Sequence, residues 1–284
     1  MNKAIATVAR TNEILKKFDL YAKKGYGQNF IIEPGIVEKI ADFAKCDNEC
    51  VIEIGPGIGA LTEQLCKRAK KVIAYEIDTR LLEVLPYSLS EYNNYEIRHQ
   101  DFLEVDFEEV VKECRKEFNK VVVCANLPYY ITTPILFKIF ESKCEVDSIT
   151  VMVQREVADR FCANISTKDY NALSVITQYL YNVKMVMKIP KTIFNPRPNV
   201  DSAVIQFTKK EHKITVDNEQ VYFDFVKACF KQRRKTLFNN LKEIIQDNNK
   251  IREILTQCNL SETVRAEAID GAKFIELYTM WSNL

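Results

Sequence analysis

From residue 35 to residue 153 two kinds of apolar pattern alternate along the chain. GIVEKIADFAK (35–45) spaces its apolar side chains three and four apart, as one face of a helix does, whereas CVIEI (50–54) is a short apolar run that ends at glycines. Helical spacing returns at 60–69, 79–89, 106–118 and 134–142. Between these lie apolar or β-branched runs at 71–76 (KVIAYE), 95–99, 121–125 (VVVCA) and 149–153 (ITVMV). Strands joined through helices need crossover connections, so the pattern predicts a parallel sheet with helices on both faces. SAVIQF (202–207) follows the proline-rich NPRPN and reads as one more strand, placed to pair antiparallel.

After residue 209 the period changes. FDFVKACFKQRRKTLFNNLKEIIQ, IREILTQCNL and, apart from Gly271, TVRAEAIDGAKFIELYTMWSNL carry helical spacing with no β-rich run. An α/β domain over residues 1–209 followed by a small all-helical domain over 210–284 is therefore expected. At 284 residues, 47% of them hydrophobic, the chain can bury a core in each.

Charge and cysteine content narrow the classes. The formal net charge is +1, so contact with a nucleic acid has to come from local basic clusters. Nine cysteines, at 46, 50, 66, 114, 124, 144, 162, 229 and 258, form no CxxC pair. Such a scattered set reads as free thiols in a reducing compartment, not as a disulfide framework or a metal site. The N-terminal MNKAIATVARTNEILKKFDL has no uninterrupted apolar stretch and carries Glu13 and Asp19, and no apolar run reaches the length of a membrane span. A cytoplasmic protein with neither membrane nor metal partner is expected.

VIEIGPGIGALTEQL sets Gly55, Gly57 and Gly59 after a strand and before a helix, where glycine lets the backbone turn tightly against a ligand. Glu76 ends the next strand, about 20 residues on, where a carboxylate can accept hydrogen bonds from both ribose hydroxyls. Gly55-x-Gly57-x-x-Ala60 also satisfies the dinucleotide fingerprint, so the loop alone leaves NAD as a competitor. Glu53 ahead of the loop, and Asp101 with its capacity to accept from an adenine amine, favour a nucleoside carrying an amino-acid tail.

VVVCANLPYYITTPILFKIF (121–140) is the most informative stretch. A buried strand ends at Asn126-Leu127-Pro128-Tyr129, and Thr132-Thr133-Pro134 starts a helix with proline in its first turn. Ligands in parallel α/β sheets sit at the carboxyl ends of strands, which puts Asn126 and Tyr129 beside the glycine loop. An adenine amine is a poor nucleophile because its lone pair is delocalised into the ring. An amide oxygen and a backbone carbonyl that accept its two N–H bonds favour a pyramidal nitrogen, and Tyr129 offers a face on which the base can stack.

GYGQNFI (25–31), EIGPGIGALT (53–62), YEID (75–78), QDFLEVD (100–106), NLPYYITTPI (126–135), VQREVADRF (153–161), FNPRPNVDSAV (194–204) and FKQRRKTLFNNL (230–241) occur in this order. In this set the chain resembles the ribosomal RNA adenine N6-dimethyltransferases, and within them the small-subunit branch. The resemblance implies a Rossmann-like, S-adenosylmethionine-dependent methyltransferase domain and a helical RNA-binding domain. It implies a monomer that adds two methyls to each of two adjacent adenosines in the loop of the 3′-terminal hairpin of 16S rRNA, on the immature small ribosomal subunit. Asn29 and Ile31 would line the cofactor pocket from an N-terminal lid, Gly55 would contact the methionine part, Glu76 the ribose and Asp101 the adenine ring. Gln28, Gly57, Ile77 and Phe102 complete the cofactor set. Asn126 would touch the cofactor's methyl end and the target amine, with Leu127 and Pro128 in the same catalytic turn. Phe194 would cap the base opposite Tyr129. His99 and Gln100 precede Asp101 where the family usually has glycine, a departure that bears on the local backbone.

With an activated methyl donor, positioning supplies most of the rate and no strong general base is needed, consistent with His99 and His212 as ordinary surface residues. The base must be unpaired or flipped out to enter. Lys231, Arg233, Arg234 and Lys235, expected on a helix of the second domain, read as phosphate contacts; Lys16-Lys17, Lys23-Lys24 and Lys67-Arg68-Lys70-Lys71 are weaker candidates. Three competitors stand: the large-subunit rRNA branch, against which the second domain and FKQRRKTLFNNL speak, an NAD-dependent oxidoreductase, for which NLPY has no use, and a non-catalytic ribosome-assembly factor.

Overall fold

The computed structural model describes residues 3–20, 28–142, 144, 146–211 and 214–284. They form two compact units, Met1–Ala158 with Lys184–Lys209, and Asp159–Val183 with Lys210–Leu284. The division is therefore not the single cut after residue 209 that the change of period suggests. Residues 159–183 group with the helical unit although they precede the last sheet strands in the chain.

In chain order the first part contains α1 (Val8–Lys17), β1 (Phe30–Ile31), α2 (Pro34–Ala44), β2 (Cys50–Ile54), α3 (Ala60–Cys66), β3 (Lys71–Glu76), α4 (Leu81–Ser88), β4 (Tyr95–His99) and α5 (Phe107–Cys114). There follow β5 (Val121–Asn126), α6 (Thr132–Phe140), β6 (Ser148–Gln154), α7 (Arg155–Phe161), α8 (Ala172–Leu180), β7 (Tyr181–Ile189), β8 (Phe194–Asn195) and β9 (Ser202–Lys209). The main sheet has the order β4-β3-β2-β5-β6-β9-β7. Strands β4, β3, β2, β5 and β6 run parallel, and β9 pairs antiparallel with β6. The apolar runs chosen from sequence coincide with these strands because both faces of the central ones are covered; every residue of β2 is buried. β7 escapes that pattern, since most of its residues are only partly buried or exposed.

The chain reverses its direction of travel across the sheet between β2 and β5, and in such sheets the ligand crevice opens at the carboxyl ends there. A separate two-stranded sheet pairs β1 with β8, Phe30 opposite Asn195 and Ile31 opposite Phe194. It is extended by a bond from Ile32 N to Ile193 O of 2.9 Å.

The second unit is built on α8 with α9 (Glu219–Cys229), α10 (Leu237–Leu241), α11 (Asn248–Gln257) and α12 (Gly271–Ser282). Aromatic side chains fill its interior: Tyr179 of α8 lies 5.0 Å, centroid to centroid, from Tyr222 of α9, and Phe225 stacks on Trp281 at 5.1 Å. The Tyr179–Tyr222 contact ties α8 to the helical unit. Gly271, the exception in the helical pattern, is the first residue of α12, behind the cap Asp270, whose side chain accepts from Lys273 N at 2.8 Å.

Candidate active site

The glycine loop leaves β2 with Gly55, Gly57 and Gly59 all at positive φ (69°, 59° and 92°). A Cβ on Gly59 would meet Ser88 Oγ at 3.1 Å and Leu89 at 3.2 Å, so only glycine fits where α3 packs on α4. At Gly57 a Cβ would lie 3.6 Å from the Phe30 ring, which brings β1 over the loop.

Glu76, at the end of β3, is buried and organises this loop. Its Oε1 accepts from Ile77 N (2.9 Å) and Asp78 N (2.8 Å), and its Oε2 accepts from Gly57 N at 3.3 Å. Burial raises the carboxyl above its ordinary value, and those three N–H groups oppose the rise. A carboxylate offers about four acceptor positions. Three are taken, so this conformation leaves room for one further donor, not the two that a pair of ribose hydroxyls would bring.

Glu53, one residue before the β2 terminus, is 1% exposed and its Oε2 has no hydrogen-bond partner among the described residues. Burial pushes its carboxyl up to about 8, the Thr62 hydroxyl pulling the other way and the Glu76 charge adding to the rise. Asp101 follows β4, its Oδ1 accepting from Leu103 N at 2.9 Å. The residue before it is held in place too, Gln100 N donating to Glu76 O at 3.1 Å, so the absence of glycine there leaves the backbone bonded to β3. Gln28 donates to Asp78 Oδ2 at 2.9 Å.

At the end of β5, Leu127 N donates to Met152 O at 3.1 Å and the chain turns. The Pro128 carbonyl accepts twice, from Ile131 N (3.2 Å) and Thr132 Oγ1 (3.0 Å). Among the described residues, neither the Asn126 side-chain amide nor the Leu127 carbonyl has a hydrogen-bond partner. The turn therefore presents two open acceptors in adjacent residues. Tyr129 is half-buried, and its hydroxyl lies 2.7 Å from Ser202 Oγ of β9. Burial raises the phenol, the Ser202 bond acting against it.

These pieces surround one cavity of about 1090 Å³ of empty space, partly open to solvent. Its wall includes Gln28, Asn29, Ile31, Gly55, Gly57, Glu76, Ile77, Asp101, Phe102, Asn126, Leu127, Pro128 and Tyr129. Phe194 is not among the residues of that wall; it is buried (4% exposed) and pairs with Ile31, which is among them. Glu53, Phe30, Gln100, Tyr130 and Ile131 join the wall and were not singled out as site residues from sequence; of these only Glu53 carried a signal, as the first residue of E-x-G-x-G-x-G.

Lys231, Arg233, Arg234 and Lys235 lie in the loop between α9 and α10, not on a helix. The buried Asn240 closes that loop, its Nδ2 donating to Cys229 O at 2.8 Å and its Oδ1 accepting from Gln232 N at 3.0 Å. Lys231 is ion-paired with Glu243, and Arg233 with Glu267. Arg234 and Lys235 are exposed and, among the described residues, outside any ion pair. Of the weaker candidates, Arg68 pairs with Asp42 and Lys71 with Glu96, while Lys17 Nζ sits 3.5 Å over the Tyr87 ring. Lys23, Lys24 and His212 lie outside the described residues; exposed His99 has Nε2 3.3 Å from Ile77 O. All nine cysteines are free thiols. Among the described residues no group of three or more His, Cys, Asp or Glu is arranged for a metal, and no helix is long and apolar enough to cross a membrane.

The family model described as ribosomal RNA adenine dimethylase matches residues 20–280. The Ribosomal RNA small subunit methyltransferase A of Bacillus pumilus is 49% identical, over 98% of this chain and 97% of that protein. Its counterpart from Geobacillus thermodenitrificans is 47% identical over the same shares. Among solved structures, a dimethyladenosine transferase from Plasmodium falciparum is 26% identical with a TM-score of 0.77, covering 89% of this chain and 97% of that one. The 23S rRNA methyltransferase ErmE is 25% identical with a TM-score of 0.68, covering 89% of this chain and 100% of that one. The fold, the order of motifs around one cavity and near-full-length similarity agree: the chain belongs to the ribosomal RNA adenine dimethylase family.

Proposed function

We propose that this chain dimethylates the N6 amines of two adjacent adenosines in the loop of the 3′-terminal hairpin of 16S rRNA, with S-adenosylmethionine as methyl donor. The names of its relatives at 46–49% identity support the small-subunit target. The observation that carries the chemistry is the pair of open acceptors, Asn126 and the Leu127 carbonyl, beside the half-buried Tyr129 ring on the cavity wall.

The cavity residues fit the donor. Three positive-φ glycines let backbone approach its methionine part, a buried carboxyl oxygen of Glu53 stands without a partner, and Glu76 retains one acceptor position for a ribose hydroxyl. Asp101, Phe102 and the 44% exposed Ile77 would hold the adenine, with Gln28, Asn29 and Ile31 closing from the β1 side. When bound, S-adenosylmethionine supplies an electrophilic methyl group.

The chain's own part is orientation. In the first transfer Asn126 Oδ1 and Leu127 O accept the two N–H bonds of the target amine, and in the second one of them accepts the N–H that remains, so the lone pair turns out of the ring plane. Tyr129 stacks on the base and holds it in register with those acceptors. The excess proton on the methylated nitrogen leaves to solvent, and no side chain needs to act as a strong base. The same reading makes the first unit the methyl-transfer domain. Arg234 and Lys235 of the second become phosphate contacts, with the ion-paired Lys231 and Arg233 secondary. It has the chain work in the cytoplasm, as a monomer, on the immature small subunit.

Asn126→Ala tests the catalytic turn. At saturating S-adenosylmethionine its single-turnover methylation of unmethylated small subunits is expected to fall far more than its affinity for them, because the lost acceptor matters most as the bond forms. Transfer at the wild-type rate would make the turn structural and the mechanism wrong.

A further inference from the structure

We infer that Ser202 is a positioning residue for methyl transfer: its hydroxyl holds the Tyr129 ring in the orientation that presents the target base to Asn126. This rests on the proposed reading of Tyr129 as the stacking face.

The topology explains how a residue 73 positions away reaches the turn. Because β9 runs antiparallel to β6, its first residue, not its last, lies at the carboxyl ends of the parallel strands. Asn126 is opposite Met152 and Met152 is opposite Val204, so Ser202 falls two residues beyond that row, level with the turn. There its Oγ lies 2.7 Å from the Tyr129 hydroxyl, and Ser202 itself is 0% exposed.

Both ends of this bond are fixed independently. The neighbouring Asp201 carbonyl accepts from Arg155 N at 3.0 Å, and Asp201 Oδ1 accepts from Lys191 N at 2.9 Å. On the other side the turn is held by Met152 O and by the doubly bonded Pro128 carbonyl. A ring attached to a fixed turn through Cβ and to a fixed strand through its hydroxyl is confined to one rotamer, whereas a half-buried tyrosine without the second tether samples others. Stacking works only if the ring face is held at the angle that brings the amine to its acceptors.

A purely structural role is the alternative, in which the bond only satisfies the buried Ser202 hydroxyl and the half-buried phenol. The two accounts separate when both hydroxyls are removed together. Tyr129→Phe leaves the Ser202 hydroxyl buried without a partner, which lowers stability, whereas Tyr129→Phe with Ser202→Ala removes both groups and restores most of it.

The experiment compares wild type, Ser202→Ala, Tyr129→Phe and the double variant in single-turnover methylation of unmethylated small subunits at saturating S-adenosylmethionine, with urea denaturation and calorimetric donor titration in parallel. Each single variant is expected to slow transfer roughly three- to tenfold, the worth of one neutral hydrogen bond. The double variant should be slowed by the same factor, not by the product, and should stay slow although its stability has recovered. Donor affinity should be unchanged throughout. A wild-type rate in Ser202→Ala, or a rate that recovers with stability in the double variant, overturns the inference. If Tyr129→Ala is slow while Ser202→Ala is not, positioning alone is lost. If the wild type leaves adenine N6 unmodified, the underlying reading falls and this inference with it.

Discussion

Replacing Glu53 with glutamine isolates the energetic cost of a carboxyl group sealed beneath the glycine loop. Glu53 is 1% exposed, has one oxygen without a partner and faces the charge of Glu76, so its folded-state value rises from 4.5 to about 8. Between those two pH values the folded chain holds a proton that the unfolded chain has released. Stability therefore falls as pH rises through this window, by about 1.4 kcal/mol per pH unit, and levels off above the folded-state value. The cost is about 3 kcal/mol near pH 7 and about 4 kcal/mol at pH 8, and approaches about 5 kcal/mol above that. Glutamine keeps the shape and never ionises. Urea denaturation of both proteins at a series of pH values from about 5 to about 8 gives the difference in stability, from which every titrating group that does not interact with Glu53 cancels. The expected result is a variant that gains on wild type by about 2.5 kcal/mol between pH 5 and pH 7, with the gain beginning to flatten near pH 8. A difference independent of pH would mean that Glu53 ionises normally in the folded chain, and the description of the loop's base would be wrong.

Glu76→Ala removes the acceptor of the Gly57, Ile77 and Asp78 N–H groups as well as the proposed ribose contact, and titration calorimetry should show S-adenosylmethionine binding weakened by roughly 1.5–3 kcal/mol; unchanged affinity would take Glu76 out of the site. Tyr129→Ala should lose roughly 1–3 kcal/mol of base stacking, read as slower methylation at subsaturating subunits, and a loss no greater than that of Tyr129→Phe would deny the ring its role. Neutralising Arg234 and Lys235 together should flatten the log–log salt dependence of subunit binding by between about 1 and 2 units without touching donor affinity. The same change at Lys231 and Arg233 should do less, because Glu243 and Glu267 already pair with them.

The central parallel strands were legible because buried strands are continuous apolar runs, and VVVCA at 121–125 is the clearest of them. β7 was not, since YNVKMVMKI mixes exposed and partly buried positions and lacks both a continuous run and a strict alternation. Local patterns also say nothing of which distant segments group together, so the inclusion of residues 159–183 in the helical unit became visible only through contacts such as Tyr179 with Tyr222. At the site, the glycine loop, Glu76, Asp101 and the Asn126 turn carry their chemistry in local order, and the fold brings all of them to one cavity. The environment of Phe194 could not be read locally, because it is set by pairing with Ile31, more than 160 residues earlier. The basic run reads as helical by composition, yet α9 stops at Cys229 because Asn240 ties that carbonyl and Gln232 N into a loop. Ser202 was visible only as part of a motif; its link to Tyr129 depends on strand register.

The central claim is met most directly by incubating the purified chain with methyl-labelled S-adenosylmethionine and unmethylated small ribosomal subunits, then digesting the 16S rRNA and locating the label. Label is expected in N6,N6-dimethyladenosine at two adjacent positions in the loop of the 3′-terminal hairpin. Label on another base, on adenosines outside that loop or in 23S rRNA instead, or no transfer by a chain that binds the donor, would contradict it.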